Sequence, residues 1–332
     1  MARIHLIAWD NQRGLSHDIR VMADALAALG HDVHISRLGS KRRDGTWTLH
    51  ALRLRRWLGW LFSGGRQPAK FDMNLSLEHV RPASFGLARI DVLMPNPEWM
   101  SLRSQRYLPR FDALLTKTAE ASRIFSSRGL RTLHVGFRSR DCYDPDVVRT
   151  PHAFLHVAGA SDLKGTARLI AVWKRHPEWP RLRVLRAGAS EEEAQTECAN
   201  IEVVRTYLPA DEVRRLQNEY AFHICLSETE GWGHYLVEAM SCAAVAITCD
   251  APPMNELVTE DRGLLVAVGE PRPFNAALAY PFDEASLERT IARAIAMPDD
   301  ERERLGVNAR TWFLDNDAGF TDRLDRALRD LL

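Results

Sequence analysis

An apolar run, Phe222 to Leu226, passes through the small, acidic and turn-forming residues Ser227 to Gly233 into His234 to Cys242, where Leu236, Val237 and Met240 recur at helical spacing. A buried strand that feeds a helix through a glycine-bearing loop is the unit of doubly wound α/β sheets, and this segment constrains the fold more than any other. Glu230 and Glu238 bracket the loop and the first turns of the helix, with seven residues between them. Backbone N–H groups freed by the Gly231-Trp232-Gly233 turn point above the helix N-terminus, where the helix dipole favours an anion. Carboxylates on either side accept hydrogen bonds from hydroxyls such as those of a sugar or ribose. Two glutamates flanking an anion site suggest a sugar nucleotide. Taken alone, the same pair also fits a helix-capping acid and a solvated surface acid.

The chain has 332 residues, which suits two domains, and its 45% hydrophobic content is ample for a core in each. No run approaches the length of a membrane span, and the first ten residues lack the pattern of a secretory signal. The five cysteines are scattered without a Cys-x-x-Cys, which supports neither a disulfide framework nor a zinc site and agrees with reduced thiols in the cytoplasm. Net charge is zero, yet residues 1–150 carry a net +10 and the remainder −10. Such segregation says that the first half faces anions.

Arg3 to Trp9, Asp32 to Ser36, Ile90 to Met94, Ala113 to Thr116 and Arg131 to Val135 read as strands of a first domain. Asp10 to Leu15 reads as a turn and His17 to Leu29 as a helix capped by Ser16. Ligands of such sheets bind beyond the carboxyl ends of the strands, which places Arg13 and Gly14 beside a cleft. Asn96 and Glu98, in a prolyl loop, and Lys117 fall at other strand ends and are candidates for the acceptor side. Each also reads as an ordinary turn or solvated residue. Between them, residues 37–70 interleave arginines with tryptophans and leucines. Arg53, Arg55, Arg56, Trp57 and Trp60 describe either a surface for an anionic membrane or acceptor, or the core face of a helix with solvated arginines. The aromatics are clustered, which argues against nucleic acid. Asp144-Pro145-Asp146 has the form of a metal-binding Asp-x-Asp but falls in a linker.

A second domain opens with the strand Ala153 to Ala158, the loop Gly159 to Gly165 and a helix to Trp173. Strands follow at Leu182 to Leu185, Ile201 to Val204, Val245 to Thr248 and Gly263 to Val268. Pro271 to Phe282 reads as an irregular insertion. Asp299 to Phe313 and Thr321 to Leu332 read as separate helices, and no repeat or low-complexity segment is present.

Ser227, Glu230, Gly231, Gly233, Glu238, Ala239, Met240 and Cys242 together resemble the Glu-x7-Glu signature of the retaining glycosyltransferase family 4 and its relatives. Trp232 stands where phenylalanine is usual, and Ala243 where glycine is usual. The resemblance implies the GT-B fold, two Rossmann-like domains facing across a central cleft. It divides the chain into an acceptor domain (1–149), a donor domain (150–314) and a helix crossing back (315–332). It also implies that Glu230 binds the donor sugar and Glu238 the ribose, with Trp232 and His234 in the same donor site. Gly159 and Lys164 match the family's phosphate loop, although Ala160 replaces its arginine; Arg13 or Arg186 are candidates to replace that cation. Tyr207 and Leu208 match the place where the family's loop meets the nucleobase.

The function implied is sugar transfer from a nucleotide sugar to a glycan or lipid-linked acceptor, with retention and with no metal or other cofactor. Rival readings are a sugar-nucleotide epimerase of the same fold and a non-catalytic sugar-nucleotide-binding or membrane-docking subunit. A dinucleotide dehydrogenase is disfavoured, because neither domain opens on Gly-x-Gly-x-x-Gly.

Overall fold

The computed structural model describes residues 1–9, 14–38, 51, 54, 69–159, 161–188 and 198–332. These form two compact units, Met1–Arg138 with Asn275–Ala277 and Gly319–Leu332, and Ser139–Phe274 with Leu278–Ala318.

The first unit is built on a parallel sheet of β1 (Arg3–Trp9), β2 (Asp32–Leu38), β3 (Phe71–Leu77), β4 (Ala88–Met94), β5 (Ala113–Thr116) and β6 (Thr132–His134). Its order is β2-β1-β3-β4-β5-β6, so the winding reverses between β1 and β3. The sequence reading assigns no element to Phe71–Leu77, which is the sheet's third strand. It alternates apolar and polar residues, yet nearly all of it is buried. Asn74 explains why this is tolerated: it meets His5 at 3.0 Å and donates to the Ser84 carbonyl at 2.9 Å and to Asp91 at 2.6 Å. Buried polar side chains satisfied in this way cost little.

Gly14 is the first residue of the helix Gly14–Ala28 and not part of a turn. The helix Ala119–Ser126 starts where Thr118 caps the Ala121 N–H, and Leu93, Leu114, Ile124 and Phe125 pack into one cluster.

The second unit repeats the plan with β7 (Thr150–Val157), β8 (Leu182–Leu185), β9 (Ile201–Val204), β10 (Tyr220–Cys225), β11 (Val245–Cys249) and β12 (Gly263–Val266). The order is β12-β11-β10-β7-β8-β9, with the reversal between β7 and β10. β10 and β11 are buried throughout, as strands covered on both faces must be, and this accounts for their mostly apolar sequences, with His223 and Thr248 hydrogen-bonded inside. The insertion is more regular than its sequence suggests. β13 (Arg272–Phe274) and β14 (Ala277–Ala279) pair, and Ala276 at their turn joins the cluster of the first unit. The last two expected helices are one continuous helix, Asp299–Leu331.

Candidate active site

In the second unit the sheet reverses between β7 and β10, and the loops after these strands open side by side there, the place where open α/β sheets receive ligands. The β7 loop turns through Gly159 (φ +60°) and a short 3-10 turn, Asp162–Lys164, and leaves through Gly165 (φ +64°). Only glycine suits the last position: a Cβ would meet Phe282 at 3.0 Å and the Leu226 carbonyl at 3.1 Å. The β10 loop is tied to this turn by a hydrogen bond from the Glu228 N–H to the Leu163 carbonyl (2.8 Å). Local sequence shapes each loop, and this tertiary contact fixes the two against each other.

Lys164 and Glu230 converge through Ser227, which the sequence reading names only as a match to the signature, and Tyr235, to which it gives no role. The Ser227 hydroxyl donates to Glu230 Oε1 at 2.6 Å and meets the Tyr235 hydroxyl at the same distance. The Tyr235 ring lies under Lys164, with Nζ 3.7 Å from the ring centroid, and Nζ donates to the Val157 carbonyl at 3.1 Å. Burial holds the Tyr235 phenol well above its usual pKa, so it stays a proton donor. Burial also pulls the Lys164 ammonium below the ordinary lysine value, while Glu230, Cys225 and Glu238 pull it back up. Tyr235 thus connects the cation to the acid, and its place one residue after His234 in the helix His234–Ser241 is the signal that sequence offered.

The remaining donor-side candidates fall around this pair. Glu238 is half-buried on the same helix and accepts from Gln217 Nε2 at 3.2 Å. Gly233 precedes the helix at φ +85° and, as a glycine, offers it no side-chain cap. Gly231 and Trp232 are buried beside it. Trp232 Nε1 donates to the Ser139 hydroxyl at 3.0 Å, and that hydroxyl stands 2.8 Å from His234 Nδ1. Both rings are therefore held to the start of the unit.

Leu208 packs against the cluster of Leu155, Leu185 and Leu216, whereas Tyr207 is 87% exposed. Arg186 donates to the Ser161 carbonyl (3.0 Å) and to Asp162 (2.7 Å), and so grips the turn that carries Lys164. Glu228, also unremarked in sequence, is buried and paired with Arg272 of the hairpin, and its carbonyl accepts from the Tyr280 N–H at 2.7 Å.

In the first unit Lys117 is buried and paired with Asp18 at 2.6 Å. Asn96 donates to Glu78 at 3.0 Å, and Glu98 is buried, its carbonyl accepting from Asn275 at 2.6 Å. Arg13, Arg53, Arg55, Arg56, Trp57 and Trp60 lie outside the described residues, as does Ala160. Among the described residues no group of His, Cys, Asp and Glu side chains could hold a metal ion, and no helix is long and apolar enough to cross a membrane.

Known proteins share this architecture. A glycosyltransferase from Rickettsia africae superposes with a TM-score of 0.73 at 12% identity, covering 99% of this chain and 98% of that one. HepE from Anabaena, solved in complex with UDP, gives 0.72 at 14%, covering 99% and 100%. Likeness at such identity concerns the fold, which is GT-B. By sequence, a 110-residue stretch is 32% identical to the GDP-mannose:cellobiosyl-diphosphopolyprenol alpha-mannosyltransferase of Xanthomonas oryzae, covering 30% of this chain and 28% of that protein. Another, of 160 residues, is 29% identical to the alpha-maltose-1-phosphate synthase of Mycolicibacterium smegmatis, covering 44% and 39%. The matches thus span well under half the length of these curated relatives. The model of the family described as glycosyl transferases group 1 matches residues 146–312, a segment that holds Lys164, Ser227, Glu230, Tyr235 and Glu238. The chain belongs to that family, the glycosyl transferases group 1.

Proposed function

We propose that the chain moves a glycosyl group from a nucleotide-sugar donor to a hydroxyl of a glycan or lipid-linked acceptor, with retention of configuration and without a metal. The observation that carries this reading is the joining of Lys164 to Glu230 through Tyr235 and Ser227 at the β7/β10 reversal. In the reaction the bond from the anomeric carbon to the phosphate oxygen breaks, and a bond to the acceptor oxygen forms on the same face. The acceptor proton passes to the departing phosphate. Lys164 lowers the cost of charge on that phosphate, and the helix N-terminus after Gly233 takes a share of it. Glu230 accepts from donor-sugar hydroxyls and Glu238 from the ribose. Tyr207 offers a face to the nucleobase, while Leu208, engaged in the core, contributes backbone alone. Support for the donor class comes from the UDP held by the structural neighbour and from the GDP-mannose in the relative's name.

A thermal-shift panel of UDP, GDP and ADP with their sugars selects the donor, because ligand binding raises the melting temperature. With that donor, Lys164→Ala and Glu230→Ala each lower the transfer rate about 100- to 1,000-fold, the scale of losing one charge-stabilising contact, and both variants melt as the parent does. Near-parental transfer by either removes the roles assigned here. The stretch with Arg53, Arg55, Arg56, Trp57 and Trp60 enters the same reading as a docking surface for anionic lipid. Co-sedimentation with phosphatidylglycerol vesicles that persists after replacing both tryptophans and the three arginines rules it out.

A further inference from the structure

Ser139 opens the second unit and holds two rings of the segment that carries Glu230. It is buried, and its hydroxyl oxygen accepts from Trp232 Nε1 at 3.0 Å and stands 2.8 Å from His234 Nδ1. The two rings flank Gly233, the residue before the helix. The direction of the second contact follows from the first. An indole nitrogen only donates, so the Trp232 bond takes a lone pair of the serine oxygen and leaves the hydroxyl proton to be placed. Among the described residues that proton has one acceptor, His234 Nδ1. A buried hydroxyl proton left unmet costs stability, whereas a Ser139 hydroxyl that donates to Nδ1 leaves no group unsatisfied. In a neutral imidazole one nitrogen accepts and the other carries the proton. The His234 proton is therefore on Nε2.

The ring fixed in this way belongs to the candidate site. Before it, Gly233 packs on Glu230: a Cβ there would lie 3.6 Å from Glu230 Cγ and 3.9 Å from its Cβ. After it, Tyr235 meets Ser227 and lies under Lys164. His234 is the first residue of its helix, and Cα–Cβ bonds of a helix lean towards its N-terminus, so the ring rises towards the loop Glu230 to Gly233. His234 is half-buried, whereas Tyr235, Leu236 and Val237 after it are buried. The phosphate loop of the same unit has Ala160 where the family has arginine. Arg186, a candidate to replace that cation, is engaged by Asp162 (2.7 Å) and the Ser161 carbonyl (3.0 Å). A further donor for the phosphates is thus wanted from elsewhere in the unit.

We infer that Ser139 is a positioning residue that fixes His234 as the Nε2–H tautomer, and that His234 donates from Nε2 to a phosphate oxygen of the bound nucleoside diphosphate. The tautomer stands on the hydrogen bonds alone, while the phosphate contact rests on the proposed transferase reading. His234 gives a hydrogen bond and keeps its proton, so the acceptor proton still passes to the departing phosphate. A directed N–H then adds to the charge of Lys164 where the family uses a guanidinium.

The test uses the full chain with 15N-labelled histidine at about pH 8, above the ordinary imidazole pKa, the His234 ring signals being assigned through His234→Gln. In the unliganded parent Nδ1 resonates as a bare ring nitrogen and Nε2 as a protonated one. Ser139→Ala gives the averaged signals of exchanging tautomers, and Ser139→Thr, which keeps the hydroxyl, restores the parent pattern. Averaged signals in the parent, or an Nε2–H pattern that survives Ser139→Ala, overturn the role of Ser139. UDP, GDP and ADP are the ligand probes, with affinities from calorimetry. His234→Asn, whose amide nitrogen reaches only as far as Nδ1, weakens the tightest of them about tenfold or more, as loss of a hydrogen bond to a charged partner does. His234→Gln, whose amide nitrogen reaches the place of Nε2, keeps most of the affinity, and both variants melt as the parent does. A ring that merely packs gives the two variants equal affinity, which overturns the phosphate contact. If no probe binds the parent, the donor reading fails and the phosphate contact falls with it, while the ring signals still decide the role of Ser139. If one binds and His234→Asn holds it as tightly as the parent, the donor reading stands and the contact fails.

Discussion

Ala243 shows what one residue contributes beyond its match to a motif. It follows the helix His234–Ser241 at φ +53°, with its N–H on the Met240 carbonyl (3.0 Å) and the Ala244 N–H on the Ala239 carbonyl (3.2 Å). This is the Schellman closure of a helix, whose left-handed position favours glycine because a Cβ crowds the backbone there. Family members carry glycine at this point, and the reason is conformational, not chemical. Ala243→Gly is therefore expected to stabilise the chain by about 0.5–1 kcal/mol, the left-handed penalty less the extra entropy of an unfolded glycine. Urea denaturation of the two proteins measures it. The candidate site is legible in sequence for the same kind of reason: Lys164 and Glu230 lie in loops whose glycines and strand ends are local features, and Glu238 lies on the helix that follows. Tyr235 and Glu228 were not legible, because their importance comes from what they touch across loops.

At the scale of elements, the strands that sequence reveals are those with mostly apolar runs, such as β10 and β11. β3 is hidden because Asn74 and Ser76 break its apolar pattern while being buried; partners on other elements make the burial of Asn74 tolerable, whereas Ser76 Oγ is buried without one among the described residues. The continuous helix Asp299–Leu331 is hidden for a different reason: Asn316, Asp317 and Gly319 read as a break, yet the helical path runs through them. Gly306 within it is a packing residue. A Cβ there would lie against the Ala243 carbonyl, closer than real Cβ contacts come. Glycine to alanine inside a helix ordinarily stabilises by about 1 kcal/mol. Here the sign reverses, since the obstacle is backbone: Gly306→Ala is expected to cost about 1–3 kcal/mol, the range for overpacking. Thermal melts decide it, and a stabilised variant would show that the helix and the Ala243 turn do not approach as described.

For the molecule as a whole, three fully buried imidazoles link stability to pH. His5 lies between Asn74 (3.0 Å) and Ser36 (2.8 Å) in the first unit. His156, between the Ile224 carbonyl (2.7 Å) and Thr166 (2.9 Å), and His223, against the Gln217 carbonyl (2.9 Å), belong to the second. Burial lowers each pKa to about 4 from the ordinary 6.5. Between those values the unfolded chain binds protons that the folded chain refuses, so stability falls as pH drops from about 6.5 towards 4. A displacement of that size corresponds to at most about 3 kcal/mol per histidine. Glu78 and Asp91 work the other way, because burial raises their folded pKa values and folding takes up protons there as pH falls. The histidines prevail: each would have to hold a charge in a closed core, a desolvation cost that the hydrogen bonds to Asn74, Ile224 and Gln217 offset only in part, and they are spread over both units. Urea denaturation between pH 7 and pH 4.5 should thus show a progressive loss of stability in each unit, and the Cε1–H signals of these three rings should stay at their neutral positions until the chain unfolds. Stability that stays level across the range, or rings that titrate near 6.5 in the folded chain, would mean that these imidazoles are reached by water.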